Sequence, residues 1–443
     1  MRETRDFALG GLFLDTPDPQ TLRVRQGWAE VRNGTLAGIA AEKPADLPGK
    51  AHPGCLIIPG MTDLHLHAAQ YAYHGMAMDV SLLDWLERYA FAEEGRFADT
   101  AYAERVYRQF VSELLGTATT RCCVFASIHR EATLLLMRLL KRAGLGARVG
   151  KLNMDRNAPD CCREASAEAS LAETRRWITE WAAENGEDEL VRPILTPRFT
   201  PSVSDACMAG LSRLAAEFRL PAQSHLSENK DEIAWVRELC PDTRFYAESY
   251  SRWGLFGGGT PTVMAHCIYS GGEETALLKE RGVWIAHCPT SNGNVIAGIA
   301  PAARYLRGGW RIGLGSDIAG GHTLNLFAVM QEAVRQSKIR WLWQDPDNAP
   351  LSLTEAFWMA TAGGGSFFGS VGLFEPGYAF DAAVIDDGGL ATPRPASPAE
   401  RLERWTYRGN GRVREKYVAG RRVFPPENEV ESGTVPREGA LPS

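Results

Sequence analysis

The chain has neither a long run of positive charge nor a long apolar run, and each absence excludes a class of partner. Its 443 residues contain 48 Lys and Arg against 54 Asp and Glu, which gives a net charge of −6. Without a Lys/Arg tract, nucleic acid and anionic membrane surfaces are not expected partners. No apolar run approaches the roughly 20 residues needed to span a bilayer. The expected partner is therefore a small, uncharged molecule.

Cysteine usage does not suit a disulfide framework. The nine cysteines are an odd number, and four of them form the adjacent pairs Cys122-Cys123 and Cys161-Cys162. Reduced, buried thiols are predicted. The N-terminal MRETRDFALGGLFLDTP carries mixed charges and is followed by no A-x-A pattern, so it is predicted to be a strand rather than a signal peptide. The expected location is the cytoplasm.

The middle of the chain alternates between short apolar segments and segments with helical spacing. The candidate strands are CLIIPGMTD, TTRCCVFAS, ARVGKLNMD, LVRPILTP, LPAQSHLS, TVMAHCIY, VWIAHCPT and RIGLGSD. The candidate helices run from Tyr102 to Leu115, Ala132 to Ala143, Leu171 to Glu184, Asp205 to Phe218, Glu273 to Arg281 and Leu324 to Ser337. Eight strand-then-helix units predict an α/β fold, a (β/α)8 TIM-like barrel, over residues 59–371.

The two ends of the chain have a different pattern. Residues 1–58 and 372–443 contain short alternating strands and turns, such as WAEVRNGTLAGIA with its Asn33-Gly34 hairpin signal, and AFDAAVIDD. Both ends are predicted to build one small composite β-sandwich. The tail from Pro425 is rich in Pro, Glu and Ser and is predicted to be a loosely attached strap.

A histidine pair with a spacing of two residues is the strongest chemical signal. His65 and His67 end the first barrel strand, so both imidazoles point to the same face where the strand opens into a loop. Neutral imidazole is a preferred zinc ligand, and catalytic zinc usually takes three protein ligands and leaves one position open. The pair is predicted to belong to a metal site.

Further candidate ligands close other strands of the predicted barrel. His225 ends strand five, His266 strand six, His287 strand seven and Asp317 strand eight. The carboxyl ends of barrel strands converge on one mouth, which brings distant residues together. His266 is either a fourth nitrogen ligand or, as we favour, a hydrogen-bonding partner of the reacting groups. His287 is expected to orient its neighbours rather than bind metal.

Carboxylate and polar residues near these tips suggest hydrolysis of a flat heterocycle. Asp317 could be both a metal ligand and a base, and Glu228 could carry a proton, or it could be a solvent-exposed glutamate at a helix entry. Arg198 offers several donors to a carbonyl oxygen, and Phe199 could lie against a ring. Gln70 can form hydrogen bonds to a purine-like edge, because its side-chain amide has both a donor and an acceptor.

Six segments at the strand ends carry a family resemblance: PGMTDLHLHAAQYAYHG, TPRFTPS, SHLSEN, MAHCIYS, IAHCPTSN and GLGSDIAGG. Together they resemble the amidohydrolase superfamily, and within it the enzymes that act on guanine. The flanking WAEVRNGTLAGIA and LFEPGYAFDAAVID resemble the composite sandwich of that superfamily. The resemblance implies hydrolytic removal of the 2-amino group of guanine, which yields xanthine and ammonia, and a homodimer.

The resemblance also implies roles for individual residues. One zinc ion per subunit would be held by His65, His67, His225 and Asp317. Substrate contacts are implied at Gln70, Arg198, Phe199, His225, Glu228 and Asp317, and catalytic roles at Glu228, Asp317 and His266. Two-metal members of the superfamily often use a modified lysine at the tip of strand four. That tip reads TPRF here, so one metal is expected.

Three alternatives stay open or are disfavoured. A related amidohydrolase of 8-oxoguanine, pterin or triazine would share the metal ligands. A metal-free scaffold protein is not expected, because such relatives lose ligands that this chain keeps. A different zinc deaminase architecture combines H-x-E with P-C-x-x-C. His129-Arg-Glu131 matches its first half, but no P-C-x-x-C occurs in the sequence.

Overall fold

A computed structural model describes residues 6–186 and 190–426. Its first four strands lie next to one another in one sheet, namely β1 (Phe7–Asp18), β2 (Thr21–Arg32), β3 (Thr35–Ala40) and β4 (Gly49–Pro59). The predicted hairpin is confirmed, since β2 and β3 pair antiparallel across Asn33 and Gly34, both with positive φ. Residues 1–5, where the predicted first strand begins, lie outside the described ranges.

The middle of the chain supplies a series of parallel strands. They are β5 (Met61–His67), β6 (Thr119–Phe125), β7 (Gly146–Gly150), β8 (Leu152–Asn153), β9 (Val191–Pro193), β10 (Thr196–Pro197), β11 (Ala222–Leu226), β12 (Thr262–His266), β13 (Trp284–His287) and β14 (Arg311–Leu314). Two four-stranded sheets have the orders β5-β6-β7-β9 and β11-β12-β13-β14, and β8 pairs with β10. All these pairs are parallel.

Backbone contacts join the two parallel sheets at both of their edges. The amide of Gln223 donates to the carbonyl of Leu195 at 2.9 Å, next to a parallel bridge between Leu195 and Ala222. At the other edge the amide of Asp317 donates to the carbonyl of His65 at 2.8 Å. The last strand therefore lies beside the first, and the strand ends that carry the candidate ligands meet.

Helices connect these strands, and most predicted helices are present with small changes of boundary. They are α1 (Leu82–Trp85), α2 (Phe91–Gly95), α3 (Thr100–Gly116), α4 (Arg130–Ala143), α5 (Ala167–Asn185), α6 (Asp205–Phe218), α7 (Lys230–Leu239), α8 (Glu248–Ser251), α9 (Gly272–Glu280), α10 (Pro289–Asn294), α11 (Ala302–Arg307), α12 (Leu326–Trp343), α13 (Leu353–Trp358) and α14 (Pro398–Arg408). In the described part of the chain, none is both long and apolar enough to cross a bilayer.

The C-terminal strands join the N-terminal sheet. β15 (Ala382–Ile385), β16 (Glu415–Val418) and β17 (Arg421–Phe424) extend it to the order β17-β16-β15-β4-β1-β2-β3. The two ends of the chain thus build one seven-stranded sheet. The predicted strap from Pro425 falls almost entirely on residues 427–443, which lie outside the described ranges.

Several elements differ from the prediction. ARVGKLNMD is divided between β7 and β8, and LVRPILTP between β9 and β10. CLIIPGMTD is not one strand, because β4 ends at Pro59 in the terminal sheet and β5 begins at Met61 among the parallel strands. Gly60 is required between them, since a Cβ there would lie 2.2 Å from the Thr120 hydroxyl. The C-terminal flank also contains α14, which was not predicted although Ser397 and Glu400 form a capping box at its start and Pro398 occupies its first turn.

A buried ion pair links the terminal sheet to the parallel strands. Arg121 of β6 donates to both carboxylate oxygens of Asp381, at 2.7 and 3.2 Å, and both side chains are buried. Replacing Asp381 by alanine is expected to lower the free energy of unfolding by about 3–5 kcal/mol, because it leaves a buried guanidinium unpaired. Chemical denaturation measures this loss.

The matched control is Asp386→Ala, which removes an exposed pair with Arg414 and is expected to cost less than about 1 kcal/mol. Equal, small losses for both variants would contradict a structural link between the terminal sheet and the parallel strands.

Candidate metal centre and active site

Four predicted ligands converge at the carboxyl ends of the parallel strands. Nε2 of His67 lies 3.2 Å from Nε2 of both His65 and His225. A carboxylate oxygen of Asp317 lies 3.1 Å from Nε2 of His65 and 3.4 Å from Nε2 of His67. All four side chains are buried. The structure therefore brings together the four residues that the sequence analysis placed at one mouth.

Local backbone structure explains how these side chains reach one point. His65 and His67 project from the same face of β5, and His225 projects from β11. The buried carboxylate of Asp63 accepts hydrogen bonds from the amides of His65 and Ser316, at 3.2 and 2.9 Å. This ties the end of β5 to the segment that carries Asp317. Asp317 itself has a positive φ of 49°, which turns its side chain into the cluster.

The spacing of the donor atoms fits a tetrahedral cation. Zinc bonds nitrogen and oxygen at about 2.0–2.2 Å, so the ligand atoms around it lie roughly 3.3 Å apart. The four observed separations, from 3.1 to 3.4 Å, agree with this value. Without a cation, the three imidazole nitrogens and the carboxylate could not satisfy one another by hydrogen bonds, because neutral imidazoles cannot all donate to each other.

Protonation and tautomer also suit metal binding. Burial lowers the pKa of His65, and burial followed by the proximity of His65 lowers the pKa of His67 and His225 well below the usual range. Metal ligands must be deprotonated, so neutral imidazoles are the competent form. Nδ1 of His225 donates to the Arg198 carbonyl at 2.6 Å, which leaves Nε2 as the lone-pair atom toward the cluster.

His266 lies at the edge of the cluster. Its Nδ1 donates to Oδ1 of Asn292 at 2.8 Å. Its Nε2 lies 3.5 Å from a Glu228 oxygen and 3.7 Å from an Asp317 oxygen, and it has no hydrogen-bond partner among the described residues. His266 faces the space between the two carboxylates, where a reacting group would lie.

Glu228 is buried rather than exposed, which rules out the alternative of a solvent-facing helix-entry glutamate. Burial raises the pKa of Glu228 well above its usual value, and the nearby carboxylates of Glu232 and Asp317 raise it further. For Asp317, burial opposes ionisation, but His65, His266 and His67 bring its pKa below the usual value. Burial therefore favours the protonated form of Glu228, whereas the surrounding histidines favour the ionised form of Asp317.

A cavity opens above the cluster. The predicted substrate residues Gln70, Arg198, Phe199 and Glu228 all line it. Sequence analysis missed its apolar wall, which is formed by Leu82, Trp85 and Leu86. The combination of one apolar wall with a few converging polar groups is typical of a site for a flat, small molecule.

Glu94 is a further buried residue that sequence analysis missed. One of its oxygens accepts a hydrogen bond from Nε2 of Gln70 at 2.7 Å, and the other forms an ion pair with Arg198. The amide of Ala319 donates to Oε1 of Gln70 at 3.0 Å. No spacing rule points to Glu94, because its partners lie 24 and 104 residues away.

Lysine is absent from the cavity lining in the described ranges. Lys151 is buried after β7, but it pairs with Glu164 and donates to the carbonyl of Leu152, away from the cluster. In the described ranges, no lysine side chain therefore reaches the cluster in the way that a bridging lysine of a two-metal site would.

Known proteins resemble this chain over most of its length. The model of the amidohydrolase family matches residues 56–423. Guanine deaminase from Homo sapiens is 36% identical over 401 residues, which cover 88% of this chain and 87% of the human protein. Guanine deaminase from Dictyostelium discoideum is 36% identical over 375 residues, with 83% and 82% of the two chains covered.

A solved structure agrees with the same relationship. The crystal structure of guanine deaminase from C. acetobutylicum, which has guanine bound in its active site, superposes with a TM-score of 0.91 at 43% identity. The superposition covers 95% of this chain and 100% of the other. Together with the family match, this likeness shows that the chain belongs to the amidohydrolase family.

Proposed function

We propose that this protein hydrolyses guanine to xanthine and ammonia with one zinc ion per subunit, held by His65, His67, His225 and Asp317. The proposal rests chiefly on one observation: this ligand cluster opens into a cavity lined by Gln70, Arg198, Phe199 and Glu228. Similarity to guanine deaminases over most of the chain supports guanine as the substrate.

The metal would activate the water molecule, and side chains of the protein transfer the protons. When bound, zinc supplies a Lewis acid that lowers the pKa of water from 15.7 to roughly 7. Asp317 is ionised and accepts a proton as the water oxygen bonds to C2 of guanine. Because Nδ1 of His266 donates to Asn292, its Nε2 presents a lone pair that accepts a hydrogen bond from the oxygen that adds to this carbon.

Glu228 moves the protons that balance the reaction. It retains a proton in the buried cavity and donates it to a ring nitrogen as the C2–O bond forms. The Glu228 carboxylate then takes the proton of the added hydroxyl group and delivers it to the exocyclic nitrogen, so that the C2=O bond forms, the C2–N bond breaks and ammonia leaves. The proton held by Asp317 returns to Glu228, which restores both carboxyl groups. Arg198 and Gln70 bind the polar edge of the base, and Phe199 lies against its ring.

We also propose the domain organisation and cellular setting that accompany this activity. Residues 59–371 form a closed (β/α)8 barrel, and residues 1–58 with 372–443 form a composite β-sandwich. Hydrogen bonds between Asp317 and His65 at one edge and Gln223 and Leu195 at the other support closure. A cytoplasmic homodimer is expected, and light scattering of the purified protein tests the dimer.

The substrate is tested by ammonia release from a panel of heterocycles, with zinc quantified on the same sample. We expect guanine to be turned over faster than 8-oxoguanine, a pterin or an aminotriazine, because relatives that align over most of this chain are guanine deaminases. Faster turnover of another heterocycle would replace guanine as the substrate. Ammonia release from none of them by a zinc-loaded sample would contradict the proposed activity.

A further inference from the structure

Glu94 lies behind the two polar residues that are proposed to bind the base. It belongs to the short helix α2, and its side chain is buried. Its two carboxylate oxygens have separate partners, Nε2 of Gln70 at 2.7 Å and the guanidinium of Arg198. Gln70 and Arg198 come from β-strand ends that are far apart in sequence, so one carboxylate connects two independent parts of the cavity wall.

The hydrogen bonds to Glu94 settle which way Gln70 presents its amide. Nε2 donates to Glu94, and Oε1 accepts from the amide of Ala319 at 3.0 Å. A reversed amide would place oxygen against the Glu94 carboxylate and nitrogen against a backbone donor, which loses both hydrogen bonds. Glu94 therefore decides which polarity Gln70 offers to a bound base.

Glu94 also compensates the charge of Arg198. Arg198 is the one Lys or Arg side chain that lines the cavity in the described ranges, and it is 2% exposed. Its guanidinium also lies 5.2 Å from the ring centroid of Phe91, on the same helix as Glu94. Paired in this way, Arg198 supplies directed N–H donors without a net positive charge, which suits a neutral carbonyl better than an anion.

We infer that Glu94 is a positioning residue that aligns Gln70 and Arg198 on the polar edge of the base and makes the cavity select a neutral 6-oxopurine over an anionic one. This inference rests on the proposed function, because it assigns the recognition of that substrate. Glu94 is not among the residues that line the cavity, and it acts through its two partners.

The test compares Glu94→Gln with Glu93→Gln. Glu93 is the neighbouring carboxylate, but it pairs with Arg96 and Tyr102 outside the cavity lining. For Glu94→Gln we expect KM for guanine to rise about 10-fold or more, with a smaller change in kcat and an unchanged zinc content. Turnover of 2-aminopurine, which lacks the 6-oxo group, should change much less. Glu93→Gln should keep values close to those of the unaltered protein.

Inhibition by urate is a second readout, and it should change in the direction opposite to guanine binding. Urate carries a negative charge at neutral pH, and Glu94→Gln leaves Arg198 uncompensated. Inhibition by urate should therefore become several-fold tighter in the same variant that binds guanine more weakly. A merely structural role would weaken both ligands together, and that result would overturn the inference.

A double substitution keeps the inference testable if Glu94→Gln proves unstable. Glu94 acts partly through Arg198. Glu94→Gln should therefore raise KM for guanine by a smaller factor in the Arg198→Ala variant than in the unaltered protein. Fully additive effects, or equal behaviour of the Glu93 and Glu94 variants, would overturn the inference. If the unaltered, zinc-loaded protein releases no ammonia from guanine, the proposed function fails instead, and urate binding by calorimetry still tests Glu94.

Discussion

Replacing Glu228 by glutamine is expected to reduce kcat for guanine by about two orders of magnitude or more. Proton transfer by a positioned side chain is typically worth about 10²–10⁴ in rate, and glutamine has the shape of glutamate without its titratable proton. Glu228 lies 3.5 Å from His266, but it is not among the four proposed ligands. Zinc content should therefore stay at the level of the unaltered protein, and steady-state kinetics with metal analysis measures both quantities.

The control for this variant is Asp231→Asn. Asp231 is an exposed carboxylate in the first turn of α7, three residues beyond Glu228, and it does not line the cavity. Its replacement should leave kcat unchanged. If Glu228→Gln lost its metal but kept near-normal turnover per zinc, Glu228 would be a residue that supports the metal rather than a proton carrier.

Removing the metal is expected to have the largest effect of all. His67→Ala deletes the imidazole that contacts both His65 and His225, and its product should retain little zinc and lose at least about 10³-fold in turnover, because water near pKa 15.7 replaces water near 7. Chelation of the unaltered protein should cause a similar loss that added zinc reverses. The melting temperature should fall as well, since a ligand that binds only the native state stabilises it.

His129→Ala is the matched histidine control. His129 is partly buried at the start of α4, outside the cavity, and it belongs to the accidental H-x-E match. Its loss should leave zinc content and turnover intact. Undiminished deamination after thorough chelation, or metal loss caused by His129→Ala rather than His67→Ala, would contradict the proposed centre.

Much of the local structure could be predicted because its causes are local. Helix α6 runs over Asp205–Phe218 as predicted, and the side chain of Ser204 caps its first turn. The hairpin at Asn33-Gly34 forms because both residues tolerate positive φ. The flank that holds α14 was predicted as strands and turns, although its capping box was readable in the sequence.

Some residues of the active site could likewise be predicted from local spacing, and others could not. His65 and His67 could be paired from the sequence, since a spacing of two residues on a strand already places them on one face. The roles of His225 and Asp317 needed a fold hypothesis in addition. The apolar wall of Leu82, Trp85 and Leu86 could not be predicted, because apolar residues on short helices look alike whether they face the core or a cavity.

By itself, the sequence determined the parallel α/β alternation, the histidine pair and the positions of most helices, because spacing, caps and turns act over a few residues. Only the tertiary structure decided that β4 and β5 separate at Gly60, that Glu228 is buried, and that Glu94 joins Gln70 to Arg198. These features depend on which segments, distant in sequence, pack together and bury their side chains. Burial in turn determines which carboxyl group favours its protonated form and which charged groups form ion pairs.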